Sequence, residues 1–460
     1  MANKERIDAA YKLARERFMA QGVTTAEERI KKLDRLETVL RRKQDDILAA
    51  LRADLNKCPH EAFMTEVGIV LSEIRFIKKH LKRWLKPKRV SPALAQLPGK
   101  TRIYHDPYGV VLVMSPWNYP FMLTLNPVLG ALAGGNTVLV KPSAYSPHTA
   151  EIIKSLFSEA FEEGDVQTIT GGRAENEALL DHAFDYIFFT GSPTVGKVVM
   201  EAAAKHLTPI TLELGGKSPA IVDKTASIEM TAKRLLFGKL LNAGQTCIAP
   251  DHVLCQREIK DDLLQALKKQ TKALFSDQAY IDRYWPKIIN EHHFERLAGL
   301  LEGQMIVTGG DLNRQTKQMG LAIIDEPTWD SAVMQEEIFG PILPVLSYDS
   351  LDQLINEQKA RPKPLALYLF TNDDVVKDRV LSELSFGGGC VNDAVMHISS
   401  SRAPFGGVGN SGMGHYHGRY SFETFTHEKA VLHKSRFFDV PLRHHPYKKP
   451  EKTFSEFLLK

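Results

Sequence analysis

Two short glycine-containing segments carry residue types that can form and hydrolyse a covalent intermediate. Cys247 ends the run Asn242-Ala243-Gly244-Gln245-Thr246-Cys247, and Glu213 begins the run Glu213-Leu214-Gly215-Gly216-Lys217. A thiol is a nucleophile, and a carboxylate nearby can act as the base that activates water. The two side chains are too far apart in sequence to share one helix face, so the fold must bring them together.

The surroundings of Cys247 decide whether it is a nucleophile. A reactive cysteine must be accessible and partly ionised. If Cys247 begins a helix, the helix dipole and its own N–H group favour a thiolate and a developing oxyanion. Gly244 lets the backbone approach a ligand closely. The alternative is a small packed cysteine, which is the interpretation that we give to Cys58, Cys255 and Cys390.

Three other polar residues each have a chemical and a structural interpretation. Asn118, in the loop Pro116-Trp117-Asn118-Tyr119-Pro120, either donates its side-chain amide to an oxyanion or closes an Asx turn. Glu213 follows a predicted strand and is either a general base or an ion-paired strand terminus. Lys141 stands at a predicted strand end before Pro142, where it either contacts a ribose or phosphate or is a surface lysine.

A further glycine-containing segment, Gly191-Ser192-Pro193-Thr194-Val195-Gly196, is predicted to lead into a helix. Backbone N–H groups at a helix N-terminus favour a phosphate. The segment does not fit the pattern G-x-G-x-x-G, so by itself it is only a weak indication of a dinucleotide.

The composition is that of an ordinary globular protein. With 460 residues, the chain exceeds what one core usually supports, so we expect two or three domains. The net charge of +4 is small for this length and does not favour nucleic acid as a partner. The four cysteines lack the spacing of a disulfide framework or a zinc site, and the C-terminal histidines lack carboxylate or cysteine partners at ligand spacing. We therefore expect no metal.

The N-terminal residues and the lengths of the apolar runs predict where the protein is located. The N-terminal residues lack an apolar signal-peptide core. No apolar run approaches the 18 or so residues of a spanning helix. We therefore expect a cytoplasmic protein without stable membrane insertion.

The hydrophobic pattern predicts helices first and an alternation of strands and helices afterwards. Apolar residues recur with a helical period over residues 27–55, and a second helix is expected over 62–84. Pro87, Pro92 and Pro98 then indicate a connector or an extended arm. The last forty residues are predicted to be an irregular tail.

From residue 103 onward, short apolar runs end in polar residues and are followed by helical segments. Such runs are typical of parallel sheets covered on both faces, and ligands bind beyond the carboxyl ends of their strands. The pattern therefore predicts an α/β fold with two parallel-sheet domains. The predicted strands cover residues 110–114, 137–140, 166–170 and 186–189 in the first sheet and 219–222, 343–346 and 367–370 in the second.

Taken together, these segments resemble the aldehyde dehydrogenase superfamily over nearly the whole chain. They stand in the family's order and include, besides those given above, Lys141-Pro142-Ser143, Phe189-Thr190-Gly191-Ser192, Glu337-Ile338-Phe339-Gly340-Pro341 and Pro404-Phe405-Gly406-Gly407-Val408. The chain looks most like the class 3 branch, whose members favour medium-chain aliphatic and aromatic aldehydes. The resemblance implies a Rossmann-like cofactor domain, a second α/β catalytic domain and a small β oligomerisation arm.

The resemblance also implies a role for each candidate residue. The Cys247 thiolate attacks the aldehyde, Asn118 and the Cys247 N–H hold the oxyanion, and Glu213 activates the water that hydrolyses the thioester to a carboxylic acid. The cofactor is NAD or NADP. Its implied contacts are Lys141 with the adenosine ribose, Ser192 with the pyrophosphate, Glu337 and Phe339 with the nicotinamide riboside, and in addition Trp117, Ser143, Gly191, Gly196 and Leu214.

The implied domain organisation follows the family. Residues 1–85 and 104–211 form the NAD(P)-binding domain, and residues 212–393 form the catalytic domain. Residues 86–103 and 394–430 form oligomerisation or bridging segments, and residues 431–460 form a C-terminal tail. Dimers and tetramers both occur in the family, and we expect a homodimer.

One departure from the family pattern bears on the cofactor. Many members have a glutamate that holds the adenosine 2′-hydroxyl two residues after the position of Pro142, where this chain has Ala144. A carboxylate there repels a 2′-phosphate, so its absence removes a barrier to NADP. We hypothesise that NADP is used at least comparably to NAD.

Two other functions remain as alternatives at this point. The first is an acylating enzyme that passes the thioester to coenzyme A, against which Glu213 argues because only hydrolysis needs that base. The second is a non-catalytic scaffold on the same fold, which the loss of Cys247, Asn118 or Glu213 would support.

Overall fold

The apolar runs form the central strands of two mainly parallel sheets. A computed structural model describes residues 2–439, 443–446 and 456 of the chain. The strands are β1 Lys88–Val90, β2 Gly99–Pro107, β3 Val110–Met114, β4 Thr137–Lys141, β5 Val166–Thr168, β6 Tyr186–Thr190, β7 Ile210–Glu213, β8 Pro219–Val222, β9 His252–Gln256, β10 Ile306–Thr308, β11 Leu312–Asn313, β12 Gln318–Met319, β13 Ala322–Asp325, β14 Ile342–Tyr348, β15 Ala366–Phe370, β16 Gly388–Val391, β17 Gly412–Met413 and β18 Thr426–Lys434.

Helices cover both sheets. They are α1 Ala2–Gln21, α2 Ala26–Arg42, α3 Gln44–Leu55, α4 Pro59–Ala62, α5 Gly68–Trp84, α6 Met122–Gly134, α7 Pro147–Ala160, α8 Arg173–Leu180, α9 Pro193–Ala204, α10 Ile228–Leu240, α11 Arg257–Leu274, α12 Gln278–Tyr284, α13 Glu291–Leu300, α14 Ala332–Gln335, α15 Leu351–Lys359, α16 Asp374–Glu383 and α17 Arg419–Thr424. A π-helix, Phe63–Val67, joins α4 to α5, and a 3₁₀ turn, Leu241–Gly244, follows α10.

The first sheet has six strands in the order β17-β7-β6-β3-β4-β5. All neighbours are parallel except β17, which pairs antiparallel with β7. Every residue of β3, β4 and β6 is buried. This explains their uninterrupted apolar sequences, because a strand covered on both faces needs no polar side.

The second sheet has seven strands in the order β10-β13-β14-β9-β8-β15-β16. It is parallel except for the edge strand β10. The predicted α/β architecture is therefore confirmed. The seven predicted strands are all present, with ends that differ by up to two residues.

Several boundaries differ from the sequence predictions. The helical period over 27–55 belongs to two helices, because Lys43 leaves helical geometry at φ −95° and ψ 17° between α2 and α3. The helix expected over 62–84 contains the π-helical segment Phe63–Val67. Helix α1 and strands β9, β13 and β16 were not predicted.

The prediction of an irregular tail over the last forty residues is wrong for the first part of that segment. Strand β18 pairs antiparallel with β2 along nine residues, from Thr426 opposite Pro107 to Lys434 opposite Gly99. Most β18 side chains are exposed and many are charged, so the apolar alternation that marks a strand is missing. Together with β1, these strands form a three-stranded arm, which agrees with the extended arm expected near the three prolines. Residues 440–442, 447–455 and 457–460 of the predicted tail lie outside the described residues.

Two general features of the described residues bear on function. No helix among them has the length and apolar composition that crossing a lipid bilayer requires. Within the same part of the chain, no three His, Cys, Asp or Glu side chains are grouped in a way that would hold a metal ion.

Candidate active site

A cleft of about 730 Å³ lies at the carboxyl ends of the first sheet's strands. Strand pairing aligns these ends, since Met114 is opposite both Lys141 and Phe189, and Thr190 is opposite Glu213. Polar residues that follow neighbouring parallel strands therefore meet at one edge. The cleft brings together nine predicted site residues: Trp117, Asn118, Gly191, Ser192, Glu213, Leu214, Cys247, Glu337 and Phe339.

The other three predicted cofactor residues, Lys141, Ser143 and Gly196, do not line this cleft. Lys141 and Ser143 end and follow β4, and Gly196 lies in α9. Lys141 is 3% exposed and donates to the Pro142 carbonyl at 2.9 Å, so it is not the surface lysine of the structural alternative. Burial lowers the pKa of Lys141 to about 8, against the opposing effect of Glu175.

Asn118 connects the loop after β3 to the Cys247 loop. Its side chain is buried, and Nδ2 donates to the Gln245 carbonyl at 3.0 Å. Its own carbonyl accepts from Asn242 Nδ2 at 2.7 Å. The Asx-turn alternative is thus not observed among its hydrogen bonds. An amide has two N–H donors, so one bond to Gln245 orients the group and leaves the second N–H for a ligand.

Cys247 lies in a turn and does not begin a helix, so the helix-dipole interpretation is wrong. The chain reaches it through three consecutive left-handed residues: Asn242 at φ 53°, Ala243 at φ 51° and Gly244 at φ 76°. A Cβ added to Gly244 would stand 2.3 Å from the Gly340 carbonyl oxygen. Only glycine permits this close approach, and the strained path directs Cys247 to the cleft.

The surroundings of Cys247 favour a protonated thiol. Burial raises the pKa of Cys247, and the carboxylates of Glu337 and Glu213 raise it further. The backbone N–H groups of Cys247 and Ile248 act in the opposite direction. The expected thiolate is therefore not preformed, and a reaction at this sulfur needs a proton acceptor.

Glu213 is a buried carboxyl that lines the same cleft as Cys247. It is 3% exposed, and neither carboxylate oxygen has a hydrogen-bond partner among the described residues. The alternative of an ion-paired strand terminus is therefore not observed. Burial raises the pKa of Glu213 well above its usual value. An unpaired buried carboxyl in a cleft is a typical general base.

Glu337 and Phe339 form the opposite wall of the cleft. Burial raises the pKa of Glu337 to about 8, whereas a hydrogen bond from the Gly216 backbone lowers it. A Cβ on Gly215 would stand 1.9 Å from Glu337 Oε2, so the glycine makes room for the carboxylate. Phe339 has φ 53°, an unusual conformation for a bulky residue that is found where surrounding structure enforces it.

A lysine–aspartate pair holds this wall, with Asp251 buried and Lys217 partly buried. We assigned neither residue a role from the sequence. Lys217 Nζ contacts Asp251 Oδ2 at 2.5 Å and donates to the carbonyls of Val333 and Glu336. Asp251 Oδ1 accepts from the Ile338 N–H at 2.9 Å. Lys217 stands in the segment that begins with Glu213, which was a usable signal. Asp251 has no such signal, because only the fold brings it to the loop.

The residues at the cleft mouth fit a dinucleotide. Ser192 caps α9, with Oγ accepting from the Val195 N–H at 3.4 Å, and the free N–H groups of a helix N-terminus suit a phosphate. A Cβ on Gly196 would stand 2.8 Å from Leu214, so this glycine allows α9 to pack against the segment after β7. Glu337 Oε1 is buried without a hydrogen-bond partner in the described part of the chain, as expected of a group that awaits a ligand hydroxyl.

Comparison with known proteins agrees with this geometry. Residues 1–431 match the sequence model of the aldehyde dehydrogenase family. The chain belongs to the aldehyde dehydrogenase family. It is 47% identical over 431 residues to the 4,4'-diaponeurosporen-aldehyde dehydrogenase of Staphylococcus aureus, covering 93% of this chain and 94% of that protein.

Two further similarities support the class 3 resemblance and the fold. Aldehyde dehydrogenase family 3 member A2 of Rattus norvegicus is 41% identical over 433 residues, with 94% of this chain and 90% of the relative covered. A solved substrate-bound structure of Staphylococcus aureus AldH superposes with a TM-score of 0.95 at 44% identity, covering 98% of this chain and 99% of that one. This aldehyde dehydrogenase is an enzyme that oxidises an aldehyde with NAD or NADP.

Proposed function

We propose that Cys247 is the nucleophile of this dehydrogenase, Glu213 its general base and Asn118 its oxyanion donor. The observation that carries the proposal is their convergence in one cleft, although they come from three separate segments. Glu213 fits the role of the group that accepts the proton of the Cys247 thiol, since it is buried and has no hydrogen-bond partner among the described residues.

The first stage forms a covalent bond to the substrate. As Cys247 Sγ attacks the aldehyde carbon, its proton passes to Glu213 and the C=O pair moves onto oxygen. The second N–H of Asn118 Nδ2 and the Cys247 backbone N–H stabilise that oxyanion. Bound NAD or NADP would supply the hydride acceptor, and loss of hydride from the tetrahedral carbon as the oxyanion collapses leaves a thioester on Cys247.

The second stage releases the product. Glu213 gives up the first proton to solvent and takes one from a water molecule. The resulting hydroxide adds to the thioester carbon, the C–S bond breaks, and the carboxylic acid leaves. The sulfur departs as a thiolate and takes the proton that Glu213 removed from the water, which restores both groups. Losing a single oxyanion donor typically costs about 10²–10³ in turnover.

The cofactor would be held along the strand ends of the first sheet. Lys141 and Ser143 would contact the adenosine ribose, and Ser192 the pyrophosphate at the start of α9. Glu337 and Phe339 would contact the nicotinamide riboside. The remaining proposed contacts are Trp117, Gly191, Gly196 and Leu214.

The carboxyl group of Glu213, which has no hydrogen-bond partner in the described part of the chain, favours hydrolysis over transfer to coenzyme A. Adding coenzyme A to the reaction and analysing the product tests this point. We expect the free acid as the product at all coenzyme A concentrations, and formation of an acyl-coenzyme A would contradict the proposal. The scaffold alternative finds no support, because the relatives are enzymes and all three reactive residues are present.

The substrate class and cofactor preference complete the proposal. We propose medium-chain aliphatic and aromatic aldehydes as substrates, and use of NADP at least comparable to NAD because Ala144 places no carboxylate at the expected 2′ position. The experiment is a panel of aldehydes, with 4,4'-diaponeurosporen-aldehyde included, assayed with both cofactors. A preference for NAD above about a hundredfold in kcat/KM would contradict the cofactor proposal.

The assembly and cellular location are also proposals. We propose that the protein is a homodimer in the cytoplasm. Within each subunit, the proposed cofactor domain comprises residues 1–85 and 104–211, and the proposed catalytic domain comprises residues 212–393. Residues 86–103 and 394–430 are the proposed bridging segments. Association is supported by apolar side chains that are exposed on and near the arm: Val90, Leu94, Leu97 and Leu432. Light scattering coupled to size-exclusion chromatography tests the dimer, and cell fractionation tests the compartment.

A further inference from the structure

A short segment between α3 and α5 contributes a buried ion pair beside the active site. Lys57 precedes α4, and Glu66 lies in the π-helix Phe63–Val67. Lys57 Nζ is 2.6 Å from Glu66 Oε1, and both side chains are 0% exposed. Neither residue lines the cleft that holds Cys247.

Both partners bind the loop that carries Asn118. Lys57 Nζ donates to the Asn118 carbonyl oxygen at 3.0 Å and lies 3.9 Å from the centre of the Tyr119 ring. Glu66 Oε2 accepts from the N–H groups of Phe121 and Met122 at 2.8 and 3.2 Å. The pair therefore binds the backbone at the carbonyl of the proposed oxyanion donor and at the start of α6, which follows it.

Stability alone does not account for such a pair. Removing two charges from water is costly, and apolar replacements of buried pairs are often neutral or stabilising. The contacts instead hold the end of the loop: Lys57 binds the Asn118 carbonyl, and Glu66 accepts the first N–H groups of α6. The π-helix belongs to the same arrangement, since the extra residue per turn changes the direction of the following side chains, and such turns are common at functional sites.

We propose that Lys57 and Glu66 are positioning residues for the oxyanion donor. They hold the Asn118 backbone in place while Asn118 Nδ2 donates one hydrogen bond to the Gln245 carbonyl. The second N–H of Nδ2 is then directed at the substrate oxygen, on the carbon that Cys247 Sγ attacks. This inference rests on the role of Asn118 given under the proposed function. It adds that the loop requires a buried charge pair from outside the cleft.

The test is a double-mutant cycle between Glu66 and Asn118. Glu66→Gln retains an acceptor oxygen for the Phe121 and Met122 N–H groups but removes the charge facing Lys57. We expect kcat to fall about 10- to 100-fold, because small misplacements at the reacting centre have effects of this size. Asn118→Ala should lower kcat about 10²–10³-fold. If Glu66 acts through Asn118, then Glu66→Gln adds little in the Asn118→Ala background.

Two measurements separate positioning from loss of structure. The KM for the cofactor and the rate at which iodoacetamide labels Cys247 should stay close to wild type in Glu66→Gln, since neither needs the oxyanion donor. Glu73→Gln is the matched control: Glu73 is also buried and accepts a backbone N–H, from Gly418 at 2.5 Å, but among the described residues it makes no hydrogen bond to the Asn118 loop. Its kcat should change less than twofold.

A second variant covers the case in which Glu66→Gln folds poorly because Lys57 is left unpaired. Lys57→Met with Glu66→Gln removes both charges together, and it should show the same fall in kcat and the same lack of additivity. Additive effects of Glu66→Gln and Asn118→Ala, or wild-type kcat in the doubly neutral variant, would overturn the inference. If Asn118→Ala itself has wild-type kcat, the proposed oxyanion role fails instead, and the two failures are therefore distinguishable.

Discussion

Glu213 and Cys247 face the same cleft, but different kinds of structure hold them. Glu213 ends a strand whose backbone pairs with β6 on one side and with β17 on the other. Cys247 follows three left-handed residues in a loop without sheet partners. The base is positioned by a regular hydrogen-bond ladder, and the nucleophile by an irregular path.

The irregular path depends on side chains that are distant in sequence. Glu61 Oε1 accepts from the Asn242 N–H at 2.6 Å. Gln245 donates to the Lys287 carbonyl at 3.1 Å and accepts from the Ile289 N–H at 3.0 Å. A buried loop must satisfy its backbone groups in this way, because no neighbouring strand does so. Substitutions that disturb the backbone of this loop should therefore impair catalysis by displacing the nucleophile.

The largest expected effect is that of Cys247→Ser. A serine oxygen keeps the shape of the loop but is a much weaker nucleophile at neutral pH, so aldehyde oxidation should fall by on the order of 10⁴ or more. Cofactor binding, measured by fluorescence titration, should remain within a few-fold of wild type. Cys390→Ser is the control, because Cys390 is also a partly buried free thiol. Substantial dehydrogenase activity in Cys247→Ser would show that the nucleophile is another residue.

The next effect, in Glu213→Gln, tests the strand-end half of the comparison. Loss of the base should lower steady-state turnover about 10²–10⁴-fold. Because Glu213 accepts a proton in both proposed stages, rapid mixing should show slower formation of reduced cofactor in the first turnover as well. A general base acts when deprotonated, and burial raises the pKa of Glu213. Wild-type turnover should therefore rise as the pH increases through that raised pKa, and this limb should vanish in Glu213→Gln. A pH profile that is unchanged in the variant would contradict the assignment.

A smaller effect, in Gly244→Ala, tests the loop half directly. The new methyl group would stand 2.3 Å from the Gly340 carbonyl oxygen at a left-handed φ of 76°. Such strain costs about 1–3 kcal/mol or displaces the loop, and we expect kcat to fall about 10²-fold. Gly299→Ala is the matched control. Gly299 lies in α13 with open space where its Cβ would be, so that variant should keep full activity and gain up to about 1 kcal/mol of stability.

The same contrast explains which features could be predicted from the sequence. The strands were found because their apolar runs are nearly continuous, and the polar residues after each strand marked the cleft edge. Strand β18 was missed because its exposed charged residues hide the alternation. In both cases the pattern of burial decided whether the element was visible in the sequence.

The loop geometry could not be predicted in this way. Asn242 and Ala243 are not residues that require a left-handed backbone, and their conformations depend on bonds such as that from Glu61. The raised pKa of Cys247 likewise arises from burial beside Glu337 and Glu213, which lie far away in the chain. Long-range contacts of this kind leave no local signal.

The smallest effect tests whether a strand end of the first sheet also determines cofactor choice. Ala144 is an exposed residue three positions after the end of β4. In Ala144→Glu the new carboxylate should repel a 2′-phosphate and accept a hydrogen bond from a 2′-hydroxyl. The ratio of kcat/KM for NADP to kcat/KM for NAD should therefore fall about tenfold, which corresponds to about 1.4 kcal/mol. Ala144→Gln has nearly the same shape without the charge and should change the ratio less. Because salt screens exposed charges over about 3 Å at 1 M ionic strength, the difference between the two variants should shrink as salt is added. An equal effect of glutamate and glutamine at low salt would mean that shape, and not charge, sets the preference at this position.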